Sequence, residues 1–250
     1  MLDLSNKKVL VINDHGPSYF APFAFLGAEY TTDTRLLTSN PDSLCLVVFT
    51  GGSDISPELY GKSKHMYTSN NPSRDMEELE LYSLAAEHGI PMAGICRGAQ
   101  FLCAMAGGTV VQDITNHGRD QNISAICPIN GDIKTVRVTS SHHQMQYPYD
   151  LPKDNYEVLG WGEKTRSSHY GLDKETTVSR SDARDSLKEE PDIVYYPVIK
   201  ALAAQYHPEW MEESSEGFTL FKALVLKYLV PFMKEDQNDR ESKKATTSAG

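Results

Sequence analysis

Residues 90–100 read Ile-Pro-Met-Ala-Gly-Ile-Cys-Arg-Gly-Ala-Gln. An apolar run leads into Cys96, and a helix-like run, Gly98 to Ala106, leads away from it. The pattern Gly94-Ile95-Cys96-Arg97-Gly98 predicts a strand that turns sharply into a helix with a nucleophile at the turn. Glycine on both sides keeps Cβ atoms out of the turn and away from an incoming substrate. The helix N-terminus points free N–H groups and the positive end of its dipole at the sulfur, which favours the thiolate. The plainer reading is a small buried hydrophobe at a strand end, which a free cysteine often is. The partners of Cys96 decide between the two.

A nucleophilic cysteine needs a base, and the base needs a group that orients it. Residues 203–210 read Ala-Ala-Gln-Tyr-His-Pro-Glu-Trp, after an apolar run from Val198 to Ala204 that predicts a strand. His207 and Glu209 are two apart, so in extended chain they project to one side. Pro208 fixes its own φ and biases His207 toward extended geometry. A carboxylate so placed can hold an imidazole tautomer and stabilise its protonated form. Taken alone, the same residues read more readily as a surface turn after a strand.

Together the two motifs resemble the class I glutamine amidotransferase family, with its Cys–His–Glu triad. Phe49-Thr50-Gly51-Gly52-Ser53-Asp54-Ile55-Ser56-Pro57-Glu58-Leu59-Tyr60-Gly61 is similar to the Gly-rich loop of one branch, peptidase C26. That branch includes γ-glutamyl-γ-aminobutyrate hydrolases and γ-glutamyl hydrolases. Arg74-Asp75, Glu78-Leu79, Gly94 to Gln100, Gly107-Gly108, Gln112-Asp113, Ser141-His142-His143-Gln144 and Gln205 to Glu209 continue the resemblance in order. It runs from about Val9 to about Tyr228, and several ordered motifs are far more specific than one.

The resemblance implies a flavodoxin-like α/β fold, an open and mostly parallel sheet flanked by helices. It implies Cys96 as nucleophile, His207 as base and then acid, and Glu209 as the group that orients His207. The backbone N–H groups of Gly52 and Arg97 become the oxyanion donors. Gln100, one turn along the elbow helix from Cys96, is expected to contact substrate, as are His142 and Gln144. No metal and no cofactor is implied. The chain departs from the branch at Ile193-Val194-Tyr195-Tyr196-Pro197-Val198-Ile199-Lys200, where a glutamate followed by a small apolar residue is usual. This puts the leaving-group side of the pocket in question, not the triad.

The formal net charge of −10, from 24 basic and 34 acidic residues, argues against nucleic acid or an acidic membrane as the main partner. No apolar run is long enough to span a bilayer, and residues 1–12 do not read as a signal peptide. A cytoplasmic location is therefore expected, where a reduced thiol persists. Cys45, Cys96, Cys103 and Cys127 lack paired spacing, so neither a zinc site nor a disulfide framework is indicated.

Continuous apolar runs predict buried parallel strands at Lys8–Ile12, Leu44–Phe49 and Ile90–Ile95. Further strands are expected at Thr135–Ser140 and Glu157–Trp161. Helices are expected from about Ser18 to Leu26, at Arg74–His88 with Met76, Leu79, Leu84 and Ala85 apolar, at Ala99–Ala106, and at Ser215–Phe232. Gly162–Pro191 is so polar that a solvated loop is expected, with a flap over the site as the functional alternative. Residues 1–233 make one catalytic domain, and Lys234–Gly250 has too little apolar surface to fold. His15, His65, His88, His117 and His169 are expected to be surface or structural, and Asp54, Arg74 and Asp75 to be loop and helix-start residues.

The expected activity is cysteine-dependent hydrolysis of γ-glutamyl amides through a thioester, acting on a small-molecule substrate. The alternative is a glutaminase subunit that feeds ammonia to a separate synthetase. A homodimer is also compatible with the fold. A non-catalytic binding relative, or a stress-protein relative of the same architecture, would lack part of the triad.

Overall fold

The computed structural model describes residues 3–13 and 17–233. The expected unfolded segment 234–250 and His15 lie outside them.

Fourteen strands and five α-helices are present among the described residues. The strands that build the site are β1 (Lys8–Ile12), β2 (Glu29–Thr31), β3 (Leu44–Phe49) and β4 (Met92–Ile95). After α1 (Leu36–Ser39) and α2 (Pro72–Glu87), the elbow helix is α3 (Arg97–Met105). Then come β5 (Thr109–Val111), β6 (Asp113–Ile114), β7 (Gln121–Ile126), β8 (Ile133–Val138), β9 (Met145–Tyr147) and β10 (Glu157–Gly162). The chain closes with β11 (His169–Gly171), β12 (Thr177–Ser179), α4 (Asp185–Lys188), β13 (Pro191–Tyr196), β14 (Ala201–Ala204) and α5 (Glu216–Tyr228).

The main sheet has the order β2-β1-β3-β4-β14-β13-β10-β7-β8. β2, β1, β3, β4 and β14 are mutually parallel, and the pairings beyond β14 are antiparallel. The expected open, mostly parallel α/β sheet is therefore present, with an antiparallel extension on one side. Apolar residues face both ways because both faces are covered. Val9, Val11, Leu46 and Val48 pack toward Phe221, Leu224 and Val225 of α5. Leu10, Ile12, Val47 and Phe49 pack with Leu81 and Ala85 of α2 and Phe101 and Leu102 of α3.

Register places the site. Phe49 pairs with Gly94, and Ala204 with Ile95. The residues just beyond the carboxyl ends of β3, β4 and β14 are thereby neighbours, where open α/β sheets bind ligands.

Several boundaries differ from the sequence reading. β14 begins only at Ala201, because Pro197–Lys200 makes a turn in which Lys200 has φ 50° and Val198 faces solvent. α2 starts at Pro72, capped by the Asn71 side chain, and Met76 is exposed rather than in the core. Ser215 caps α5, whose last turn ends at Tyr228. The solvated-loop expectation for 162–191 is corrected. β11 pairs with both β12 and β6 in a three-stranded sheet, and Tyr170, Ala183 and Leu187 share a buried cluster with Met145 and Tyr147. A few apolar residues spaced among many polar ones suffice to seat the segment. Glu190 anchors it by accepting hydrogen bonds from the Arg166 and Ser167 amides and the Tyr170 hydroxyl.

The inward face of α2 carries charge as well as Leu81 and Ala85. Asp75 and Glu78 are buried there, and both ion-pair with Arg97, which is 1% exposed. Asp75 also accepts from the amide and hydroxyl of Ser56, and Glu78 from Asn13 and Arg74. Two cations and two carboxylates thus compensate one another under the Cys96 turn. Asp75 is more than the helix-start residue expected from sequence.

A second buried acid lies on β13. Gln121 donates to the Asp192 carboxylate at 2.6 Å, while Gln205 and Gln146 donate to its carbonyl. Burial pushes the Asp192 carboxyl up to about 7, against the opposing pull of His117, the Tyr206 amide and Gln121.

Two outcomes follow from these buried charges. Arg97→Met leaves Asp75 and one oxygen of Glu78 buried without their cation. It should cost about 3–5 kcal/mol in denaturant unfolding, and a loss below about 1 kcal/mol would show that the brace carries little. For Asp192 the folded pKa lies above the unfolded one. Its contribution is full below the unfolded pKa of about 4 and is lost as pH rises through about 7. Asp192→Asn should therefore gain about 2–3 kcal/mol relative to wild type between pH 5 and pH 8. Equal differences at both pH values would refute the assignment.

Candidate active site

Cys96 has φ 54° and ψ −109°, a conformation an L-residue holds at a cost of about 1–3 kcal/mol. Three contacts fix it. The Cys96 amide donates to the Ala204 carbonyl at 2.8 Å, while its carbonyl accepts from the Ala99 and Gln100 amides that open α3. Both flanking glycines are required by space. A Cβ on Gly94 would lie 2.4 Å from the Gly98 carbonyl oxygen, and one on Gly98 would lie 2.0 Å from that of Phe49. The strand-to-helix elbow expected from sequence is present, and the thiol sits at its apex, 3.9 Å from the Ser141 carbonyl.

His207 follows β14, its amide donating to the Thr139 carbonyl. Its Nδ1 is 2.7 Å from Oε1 of Glu209, within the turn Pro208–Trp210. Both side chains are buried. Burial disfavours the imidazolium, but the Cys96 and Glu209 contacts outweigh it and raise His207 to about 10. Gly51 marks the meeting point of the three strand ends. A Cβ there would lie 3.6 Å from both Cys96 Cβ and His207 Cε1.

That same point is 2.6 Å from the Tyr19 hydroxyl, which accepts the Gly51 N–H at 3.2 Å. Burial, with Glu209 and Cys96 nearby, raises the Tyr19 pKa and keeps the phenol protonated. Tyr19 was not legible in the sequence, because only tertiary packing brings residues 17–26 over the Gly-rich loop. Gly52 has φ 141°, and a Cβ there would lie 2.3 Å from the Arg74 guanidinium. Arg74 also donates to the Thr50 carbonyl and hydroxyl, so it braces the loop.

Gln100, His142 and Gln144 come together as a buried group. The Gln100 side chain and His142 Nδ1 both reach the Gln144 carbonyl, at 3.2 and 2.8 Å. The Gln144 amide donates to Thr68 and to the Gln112 carbonyl. Burial, reinforced by His117, pushes His142 well below the ordinary histidine value, so it is neutral. His143 in the same loop is exposed and reaches Asp54 at 3.1 Å. The Asp54 hydrogen bond opposes burial and raises His143. Asp54 therefore ties the Gly-rich loop to the Ser141–Gln144 segment.

Three histidines read as surface or structural have specific partners. His117 is buried, with Nε2 3.2 Å from Glu190 and Nδ1 2.7 Å from the Thr115 carbonyl. His169 reaches Asp113 at 2.7 Å, and buried His65 approaches Thr177. Their role is structural in each case, but not at the surface for His65 and His117. Cys45 and Cys103 are buried and raised by that burial to about 12, which leaves them inert thiols. Among the described residues, no group of three or more His, Cys, Asp or Glu side chains is arranged to hold a metal ion, and no helix is long and apolar enough to cross a membrane.

Known proteins are similar to this chain over much of its length. A protein of Mycobacterium tuberculosis named as a candidate glutamine amidotransferase is 44% identical over 192 residues, 74% of this chain and 56% of that protein. The γ-glutamyl-γ-aminobutyrate hydrolase PuuD of Escherichia coli K12 is 26% identical over 168 residues, 63% of this chain and 61% of that enzyme. The chain thus spans about half of the mycobacterial relative, and its match to a Lactococcus lactis relative covers 37% of that protein. A glutamine amidotransferase structure from Thermotoga maritima superposes with a TM-score of 0.52 at 18% identity, covering 93% of this chain and 92% of its own. A candidate GMP synthase component from Thermoplasma acidophilum gives 0.54 at 17% identity, covering 95% and 98%. At such identities the structures establish a shared fold. The Peptidase C26 family model matches residues 29–209, spanning the Gly-rich loop, the Cys96 elbow and the His207–Glu209 turn, and the chain belongs to the Peptidase C26 family.

Proposed function

We propose that the protein hydrolyses γ-glutamyl amides through a thioester on Cys96. The observation that carries this reading is the meeting of a strained cysteine at a helix N-terminus with a buried histidine held by a carboxylate at 2.7 Å. Cys96 attacks the substrate's side-chain carbonyl carbon. The oxyanion that forms is met by the backbone N–H groups of Gly52 and Arg97, each worth about 3–4 kcal/mol in comparable sites. His207, protonated and oriented by Glu209, gives its proton to the departing amine as the C–N bond breaks. A γ-glutamyl thioester remains. Water then loses a proton to His207, adds to the thioester carbonyl, and releases glutamate as the thiol is restored.

The Gln100, His142 and Gln144 group supports recognition of the glutamyl end. It is buried, and His142 Nε2 and the Gln144 side-chain oxygen lack protein hydrogen-bond partners among the described residues. The chemistry draws on no metal or organic cofactor. It suits a reducing, cytoplasmic setting and one protomer or two. The 44% identity to a protein named as a glutamine amidotransferase favours a second reading, in which the amine is ammonia and a separate synthetase receives it.

Glutamate release from glutamine and from a panel of γ-glutamyl amides, with Cys96→Ala as control, tests the proposal. Release from a bulky amide, lost in Cys96→Ala by at least about three orders of magnitude, is the expected result. Cys96-dependent release from glutamine alone would select the ammonia-donating reading. Release that survives in Cys96→Ala would refute both.

A further inference from the structure

Trp210 follows the His207-Pro208-Glu209 motif directly and is held over it by the turn. Its amide donates to the His207 carbonyl at 3.2 Å, and Pro208 fixes the first bend. The indole lies on the imidazole of His207 with ring centroids 3.7 Å apart and planes 5° from parallel. The residue is 54% exposed. Two neutral aromatic rings disfavour such a face-to-face sandwich, because their quadrupoles repel; they prefer offset or edge-on packing at larger separation. A cationic ring on an indole face reverses that preference, since the negative π face attracts the charge. The observed geometry suits an imidazolium.

We propose that Trp210 is a positioning residue of the reactive centre, whose π face stabilises His207 in its imidazolium form and so favours the ion pair with Cys96. The inference rests on the reading of Cys96 and His207 as the reactive pair. Glu209 grips the ring at Nδ1 in its plane, and Trp210 covers it from the face, so the two supports are geometrically independent. The other groups that bear on the His207 charge are Cys96 beyond β4, Asp192 on β13 and His142 on the Ser141–Gln144 segment. Tyr19 faces Cys96 and Glu209 but stays neutral. None of these offers an aromatic face to the imidazole, so a change in the indole should be read in His207 without altering the hydrogen bonds of the site.

The test uses two readouts that need no turnover. Protonated imidazole quenches a stacked indole. In a full-length Trp161→Phe background, where Trp210 is the sole tryptophan, emission should be low at neutral pH and rise as His207 deprotonates near pH 10. His207→Gln should abolish that rise. Trp210→Leu, which keeps apolar cover but removes the π face, should move the His207 ring-proton NMR titration down from near pH 10 by about 0.4–0.7 unit, and Trp210→Phe should restore most of that shift. Absence of a His207-dependent emission change would overturn the proposal. So would an unshifted His207 titration in Trp210→Leu, or equal shifts in Leu and Phe, which would reduce the indole to packing. If the emission and titration results hold but no γ-glutamyl amide is cleaved, the proposed hydrolysis fails and the role of Trp210 stands.

Discussion

The turn at Cys96 is the constraint around which the rest of the molecule is arranged. A cysteine at φ 54° between a strand and a helix exists only if the helix can approach the neighbouring strand without side chains in between. Gly98 against the Phe49 carbonyl and Gly94 against Gly98 satisfy that requirement. Because β3, β4 and β14 are parallel and in register, the same approach brings Gly51, Cys96 and His207 together beyond the carboxyl ends of these strands. Strain at one residue is thus held by two adjacent strand pairings and the first turn of α3.

The charges beneath and around this turn are arranged in two ways. Under it, Arg97 is gripped by Asp75 and Glu78, and Arg74 joins Glu78 to the Gly-rich loop. The helix α2, the elbow and the loop that offers Gly52 are therefore one electrostatic unit. Burial makes such a unit costly to break, although an apolar replacement of the whole could be equally stable. Above it, His207 is held by Glu209 in the ring plane and Trp210 across the ring face. The lower set fixes the backbone and the upper set fixes a protonation state.

The segment 162–191 is attached to this frame rather than lying free of it. Glu190 collects the Arg166 and Ser167 amides and the Tyr170 hydroxyl, and also faces His117. The His117 carbonyl in turn accepts the amide of His142, so the polar insertion supports the Ser141–Gln144 loop through one buried carboxylate and one buried histidine. Hydropathy could not show this. A segment whose apolar contribution is chiefly Tyr170, Ala183 and Leu187 looks polar along its length, and only the partners on β5, β6 and β9 reveal that it has a core.

The sequence by itself determined the strand-to-helix turn, because Gly-x-Cys-x-Gly after an apolar run permits little else. It placed His207 and Glu209 two apart after a strand but left a surface turn open, and only the turn at Pro208–Trp210 with both side chains buried decided that they pair. Continuous apolar runs likewise determined the buried parallel strands at 8–12 and 44–49. Tertiary structure alone decided what lies far apart in the chain. Tyr19 over Gly51, Asp75 and Glu78 under Arg97, and His117 against Glu190 join residues that no local period relates. In α2 the helical spacing was visible, but its inward face included two carboxylates, so hydropathy assigned Met76 to a core that the helix does not turn it toward. Local geometry is written in neighbouring residues; charge compensation is settled only when distant segments meet in a medium where an unpaired ion is costly.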